Sequence, residues 1–300
     1  MSLRMTAVGT YMRATRRSAF ATEAAGTAFL EATKRSCKPP RRVNRRCTVT
    51  SSSVGGRAVY LLTPRTASST VSIVYVHGGA FVSEIQSEHW DFVTRLVVET
   101  GAAVHVPIYG LAPDHHAAEA VAMIVEVIRR CTEQGPTYVM GDSAGGGLAL
   151  SAAQVWRDTA GVAPLGLTLI SPWLDVSLRN PAIADVERRD PWLARAGLRV
   201  CGRAWAGSLE LDDPRVSPIY GDFDGLPSIE IYVGDRDLIV ADCRLLRDRL
   251  PPDRLSLYEQ PGGIHVYPLL RTPEGRAARR RLIARVRSVL SRPRPSQPQP

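Results

Sequence analysis

A serine in Gly141-Asp142-Ser143-Ala144-Gly145-Gly146-Gly147 is the strongest chemical signal in this 300-residue chain. The apolar run Thr137–Met140 precedes it and an Ala/Leu-rich stretch follows. A G-x-S-x-G between a strand and a helix forms a nucleophile elbow, a turn so tight that its serine is strained. Gly141, Ala144 and Gly145 are the small neighbours that such a turn requires. A purely structural Gly-rich turn would share these letters, but the strand-to-helix setting favours a nucleophile.

His77-Gly78-Gly79-Ala80-Phe81 comes directly after another apolar run. Acyl transfer needs N–H groups aimed at the oxygen that becomes negative. Adjacent glycines let backbone approach a ligand closely, and the residue after the nucleophile supplies a further amide. The candidate oxyanion amides are therefore Gly78, Gly79, Ala80 and Ala144.

In chain order, an elbow serine is followed by an acid and then a histidine. His265, in Pro261-Gly262-Gly263-Ile264-His265-Val266, is the only histidine after Ser143. The acid lies in Val233-Gly234-Asp235-Arg236-Asp237-Leu238-Ile239-Val240-Ala241-Asp242. Asp242 suits the start of the next helix, and Asp235 suits a turn. Asp237 precedes an apolar run that would anchor it, and the base needs a fixed third group, so Asp237 is the choice.

These residues must be positioned by a sheet. Eight strand-like runs occur: Cys47–Ser51, Ala58–Leu62, Val71–His77, Ala103–Ile108, Thr137–Gly141, Gly166–Ile170, Ile229–Val233 and Leu255–Glu259. Several are apolar at nearly every position, as parallel strands covered on both faces are. Ala58–Leu62 is close enough to its neighbours to pair antiparallel through a hairpin. Helical periodicity spans Glu88–Glu99, Ala117–Arg130, Ala144–Arg157, Leu193–Ala206, Ala241–Leu250 and Glu274–Leu290. The alternation predicts an α/β fold, a mostly parallel eight-stranded sheet with helices on both faces. Residues 171–228 lack strand signals and read as an insertion over the sheet's C-terminal edge.

The formal charge of +9 is unevenly placed. Residues 1–46 carry +9, residues 271–300 carry +8, and the body between them carries −8. An acidic body argues against nucleic-acid binding, which favours a basic folded face. Five cysteines without a C-x-x-C pair point to a reducing compartment, read as the cytoplasm. No run of even twelve apolar residues occurs, too short for a membrane-spanning helix. Residues 1–20 lack a secretory h-region. They are Arg-rich and acid-poor, and a basic amphipathic helix is preferred over a transit peptide. The arginines of 271–294 lie on a helix and its tail. Without an apolar anchor they imply at most weak contact with an anionic membrane surface. Residues 291–300 are expected to be disordered.

Over about residues 57–270 the chain resembles the hormone-sensitive-lipase-like branch of the α/β-hydrolase family. The resemblance rests on the His77 and Ser143 motifs. Tyr109-Gly110-Leu111-Ala112-Pro113, Ser171-Pro172-Trp173-Leu174-Asp175 and Asp213-Pro214-Arg215-Val216-Ser217-Pro218 also carry it. It implies an α/β-hydrolase fold with a helical cap: a basic segment 1–46 plus the insertion at 171–228, on a catalytic domain of 47–290. It also implies a serine esterase for small to medium acyl esters, without cofactor or metal. Two departures stand out. Ala80 replaces a third glycine, which leaves the oxyanion hole intact if its φ stays negative. Gly110 replaces an arginine, which bears on local stability.

The expected chemistry is attack by Ser143, proton transfer to His265, and orientation of the imidazole by Asp237. Lactone or amide hydrolysis would use the same groups. A non-catalytic ligand receptor on this fold, or an anion- or membrane-binding protein driven by the basic ends, are readings from other classes. Trp156, Trp173, Trp192 and Trp205 are candidates for an acyl pocket, although packing is the commoner role. His115-His116 lacks further ligands at metal-binding spacing.

Overall fold

The computed structural model describes residues 1–34, 37–66, 71–160 and 163–291. Its strands are β1 (Cys47–Val54), β2 (Arg57–Pro64), β3 (Ser72–Val76), β4 (Ala103–Pro107), β5 (Thr137–Asp142), β6 (Leu167–Ile170), β7 (Ile229–Gly234) and β8 (Leu255–Gln260). The helices are α1 (Leu3–Thr15), α2 (Glu23–Glu31), α3 (Arg41–Asn44), α4 (Ser87–Thr100), α5 (Ala117–Gln134), α6 (Ala144–Ala160), α7 (Ile183–Glu187), α8 (Arg195–Ala206), α9 (Val240–Arg249) and α10 (Pro273–Leu290).

All eight strands join one sheet in the order β1-β2-β4-β3-β5-β6-β7-β8. The expected hairpin is present, with β2 antiparallel to both β1 and β4. The other five pairings are parallel. β3 shows why its sequence reads as unbroken apolar residues. Val74 and Val76 enter one core with residues of α5, α6 and α8. Ile73 and Tyr75 enter a second core with residues of α4 and α10. Each face is covered by helices, so each residue of β3 is buried.

Residues 171–228 carry α7 and α8 and no strand, as their composition predicts. Residues 1–20 hold the helix α1 and a 3₁₀ turn at Arg17–Phe20, and α2 and α3 follow within the basic N-terminal stretch. α1 buries only Met5 and Gly9, and α2 only Gly26. Two contacts tie this stretch to the insertion. The Arg17 guanidinium donates to the carbonyls of Asp190, Leu193 and Glu187 at 2.5, 2.6 and 3.1 Å. α2 lies against α8 through glycines, and a Cβ on Gly26 would fall 2.5 Å from the Gly197 Cα. At the far end Ser291 closes α10, and the remaining tail residues 292–300 lie outside the described residues.

The α2–α8 contact yields a prediction. Gly26→Val should force these helices apart and cost about 1–3 kcal/mol, the usual penalty for overpacking. Denaturant midpoints of the two proteins measure it. An unchanged midpoint would mean that this contact does not hold the N-terminal stretch in place.

Candidate active site

Ser143 sits where β5 turns into α6, with φ of 52°. That left-handed conformation is costly for a side chain with a Cβ. Four backbone hydrogen bonds hold it. Its N–H donates to Ile170 O at 2.8 Å, and its carbonyl accepts from Gly146, Gly147 and Trp173. The turn also brings α6 close to the end of β3. A Cβ on Gly145 would lie 2.3 Å from the carbonyl oxygens of both Val76 and His77.

His265 Nε2 lies 2.9 Å from Ser143 Oγ, and Nδ1 lies 2.8 Å from Asp237 Oδ2. A carboxylate only accepts, so Nδ1–H donates to Asp237 and Nε2 is left to accept the serine proton. The structure thus brings together all three residues picked from the sequence, which are 122 and 28 positions apart along the chain. The histidine loop is held at both sides. Val266 N–H donates to Ser171 Oγ at 3.0 Å, and Arg236 N–H donates to Gly263 O at 3.0 Å. Burial opposes a charge on the imidazole. The charge of Asp237 and its hydrogen bond outweigh this, with help from Asp190 and Asp142, and hold His265 above its ordinary value.

The rival acids have other work. Asp235 accepts the Gly262 amide at 2.7 Å, a turn contact. Asp242 lies in the first turn of α9 and is buried, not a cap. It accepts from Asn180 Nδ2 at 2.9 Å, and burial pushes its carboxyl up to about 6.

The oxyanion loop corrects the sequence reading at Gly78. Its amide donates to Asp142 Oδ1 at 3.0 Å and is not available to a substrate oxygen. Gly78 is required for closeness, since a Cβ there would lie 2.4 Å from Asp142 Oδ2. Among the described residues, the amides of Gly79, Ala80 and Ala144 carry no hydrogen bond to the protein. Ala80 does not keep a negative φ. It adopts 55°, and Phe81 adopts 63°. The alanine thus takes on a conformation natural to the glycine it replaces. The loop is fixed by Val82 and Ser83 amides donating to Gly79 O. Phe81 anchors it further, stacked 4.1 Å from Trp205 and 5.5 Å from Trp173.

Asp142 is a support that the spacing of motifs did not reveal. It accepts from Tyr75 OH at 2.6 Å, Gly78 N and His89 Nε2 at 3.1 Å. Burial opposes its charge, but these partners outweigh it and hold the carboxyl below the usual range. His77 is no base. Burial and the nearby His89 push it down to about 4, and its Nδ1 faces Gly78 O.

Of the tryptophans, Trp173 and Trp205 pack beneath the oxyanion loop, and Trp192 stands edge-on to His265 at 5.5 Å. His115 bonds Glu119 and contacts Arg57, while His116 faces Ala204 O. The His115 ring fills the place where a Gly110 side chain would start, 2.4 Å from a Cβ there.

A second acid behind the triad was also missed. Asp190 of the insertion is fully buried. Its Oδ1 accepts from the Trp192 and Leu193 amides at 2.7 and 2.9 Å, and its Oδ2 from Leu238 N at 2.8 Å. Leu238 directly follows Asp237. Burial and the Asp237 charge push the Asp190 carboxyl upward, against the pull of these three amides.

This site stands on a sheet with the topology of the α/β hydrolases. The chain belongs to that family, with residues 73–269 matching the alpha/beta hydrolase fold. It is 35% identical over 203 residues to a triacylglycerol lipase of Mycobacterium tuberculosis, covering 66% of this chain and 42% of the lipase. It is 31% identical to an esterase of Acinetobacter venetianus, covering 61% of this chain and 62% of the esterase. The chain thus spans less than two thirds of the length of these two relatives. An acetyl-hydrolase of Streptomyces hygroscopicus is 31% identical, with 69% and 72% covered. Two crystal structures share the fold. EstE5 has a TM-score of 0.83 at 24% identity, covering 97% of this chain and 100% of EstE5. EstE7, a hormone-sensitive-lipase homologue from a metagenome library, has 0.80 at 22%, with the same coverage. The resemblance to the α/β-hydrolase family noted in the sequence is borne out.

Asp190 can be tested. Asp190→Asn removes a charge that helps to hold His265 protonated, and turns an amide NH₂ or a single carbonyl toward the three donors. The acidic limb of the kcat/KM profile should move to lower pH, because His265 loses a proton more readily. Stability should fall by about 1–3 kcal/mol as a buried N–H loses its acceptor. An unmoved limb would show that Asp190 has no electrostatic reach to the base.

Proposed function

We propose that this protein is a serine carboxylic-ester hydrolase for small to medium acyl esters. The observation that carries this is the unbroken Ser143–His265–Asp237 chain beside amides without partners. Ser143 Oγ attacks the carbonyl carbon while its proton passes to His265 Nε2. Asp237 stabilises the imidazolium that results. The amides of Gly79, Ala80 and Ala144 receive the developing oxyanion. His265 then protonates the leaving alcohol. Water, deprotonated by the same nitrogen, attacks the acyl-enzyme, and collapse frees the acid and Ser143. No step draws on a cofactor or metal.

The names of the relatives, a lipase, an esterase and an acetyl-hydrolase, support ester chemistry. Residues 1–46 and 171–228 serve in this reading as one cap, joined through Arg17 and Gly26. Trp192 brings it to the imidazole. Residues 47–290 form the catalytic domain. The five cysteines are all free and four are buried, which supports work in a reducing cytoplasm. No described helix is long and apolar enough to cross a membrane.

Turnover of p-nitrophenyl esters of increasing acyl length tests the reading. A signal confined to lactones or amides would replace the substrate class, and no turnover at all would leave a receptor. Ser143→Ala should remove nearly all activity, on the order of 10⁶ in kcat. An organophosphate should label Ser143, and an adduct on another serine would end the assignment.

The acids separate by mutation. Asp237→Asn should lose up to about 10⁴ in kcat, since an amide can hold the wrong imidazole tautomer. Asp242→Asn keeps an oxygen for Asn180 and should change stability by no more than about 1 kcal/mol. Asp235→Asn should be nearly silent. Loss of turnover in a folded Asp235→Asn protein would reassign the acid.

A further inference from the structure

The arginines of the two chain ends do not stay apart. Arg4 on α1, Arg42 and Arg46 around α3, Arg95 on α4, and Arg271, Arg276 and Arg279 around α10 line one cleft of about 490 Å³. Among the described residues the acids lining it are Glu88 and Asp91, so these residues give the cleft a surplus of five positive charges. Asp91 is already shared by Arg42 and Arg271, at 2.8 Å each. Arg95 pairs with Glu99. Arg4, Arg46 and Arg276 have no carboxylate partner among the described residues.

Arg279 is the informative member. Its residue is only 9% exposed, yet among the described residues it forms no ion pair, and the charge of Glu99 favours it only from farther off. Its Nη1 donates to the carbonyls of Pro268 and Leu270 alone. Buried charges in proteins are ordinarily paired. Burial, with Arg95 and Arg276 beside it, pushes this guanidinium down to about 10. Val43, Phe92 and Leu269, all buried, give the cleft an apolar floor. Charge repulsion among these groups is relieved by an anion, and planar guanidinium forks match phosphate oxygens two at a time.

We propose that this cleft binds a compact phosphate-type polyanion, either a free phosphate compound or a lipid phosphate headgroup. None of Ser143, His265 and Asp237 lines it, so the proposal is independent of the esterase reading. It fits an occupant with at least two negative charges and a small apolar part over Phe92. The two basic ends would then have one purpose, since each contributes walls to the same cleft.

The test uses the full chain. Sodium pyrophosphate is titrated calorimetrically at constant ionic strength, and vesicles of phosphatidylglycerol or phosphatidylcholine are tested by co-sedimentation. The variant Arg46→Gln/Arg276→Gln changes two exposed groups without partners and keeps Arg279. Saturable binding of pyrophosphate, of the anionic vesicles, or of both is expected, weakened at least about tenfold in the variant. Pyrophosphate alone identifies a free phosphate compound. Anionic vesicles displaced by pyrophosphate identify a headgroup. Binding of neither probe, or binding that the double variant retains in full, overturns the proposal. Ester turnover and thermal midpoint of the variant, both expected to match the wild type, separate this failure from misfolding.

Discussion

Everything at this site depends on one strained residue. A serine at φ 52° is unfavourable alone and persists only where its surroundings allow no alternative. Its amide is taken by β6, its carbonyl by α6 and by Trp173, and Gly145 presses the helix onto the end of β3. The same approach carries Asp142 under the oxyanion loop, where Gly78 bonds it. Relaxing the turn would therefore move the nucleophile, the start of α6 and the oxyanion amides together. The parallel register of β3, β5 and β6 brings these ends to one edge of the sheet.

Two buried acids, one beside that turn and one behind Asp237, have different surroundings. Asp142 has three donors, one of them the His89 imidazole, which together hold its carboxyl below the usual range against burial. Asp190 has three amides but also the negative charge of Asp237, so its ionisation is opposed. The first stabilises the oxyanion side. The second raises the proton affinity of the base from behind while fixing the backbone at Leu238. The Asp190 carbonyl also accepts from Arg17, so one residue contacts both the N-terminal stretch and the acid's loop.

What the sequence made legible was local. The elbow, the only downstream histidine and the aspartate before an apolar run each announce themselves within a few residues. The eight strands were also readable, because β3, β5, β6 and β7 are buried at every residue and β2 lies close in sequence to the strand it pairs with. Gly78 was misassigned because its role is set by a carboxylate 64 positions away. Asp190 was invisible for the same reason, its partner Leu238 being 48 positions distant. For Ala80 the sequence set only a condition, a negative φ, and the structure does not meet it. The stack of Phe81 on Trp205 and the loop's amide bonds instead impose the backbone of the missing glycine.

The basic ends show the limit of charge counting. A count of positive charge at the two termini treats every arginine alike. Arg17 spends its charge on three carbonyls, which have no net charge to lose, and serves as a clamp. Arg279 also takes carbonyls, but it does so buried among other arginines. A clamp alone needs no such neighbours, since the repulsion they add weakens it. The N-terminal and C-terminal arginines meet because α1 and α10 lie side by side, joined where Ser2 Oγ donates to Glu274 at 2.8 Å. Folding thus concentrates charge that extension would have dispersed, and only Asp91, shared by Arg42 and Arg271, and Glu99, paired with Arg95, are bonded against it among the described residues.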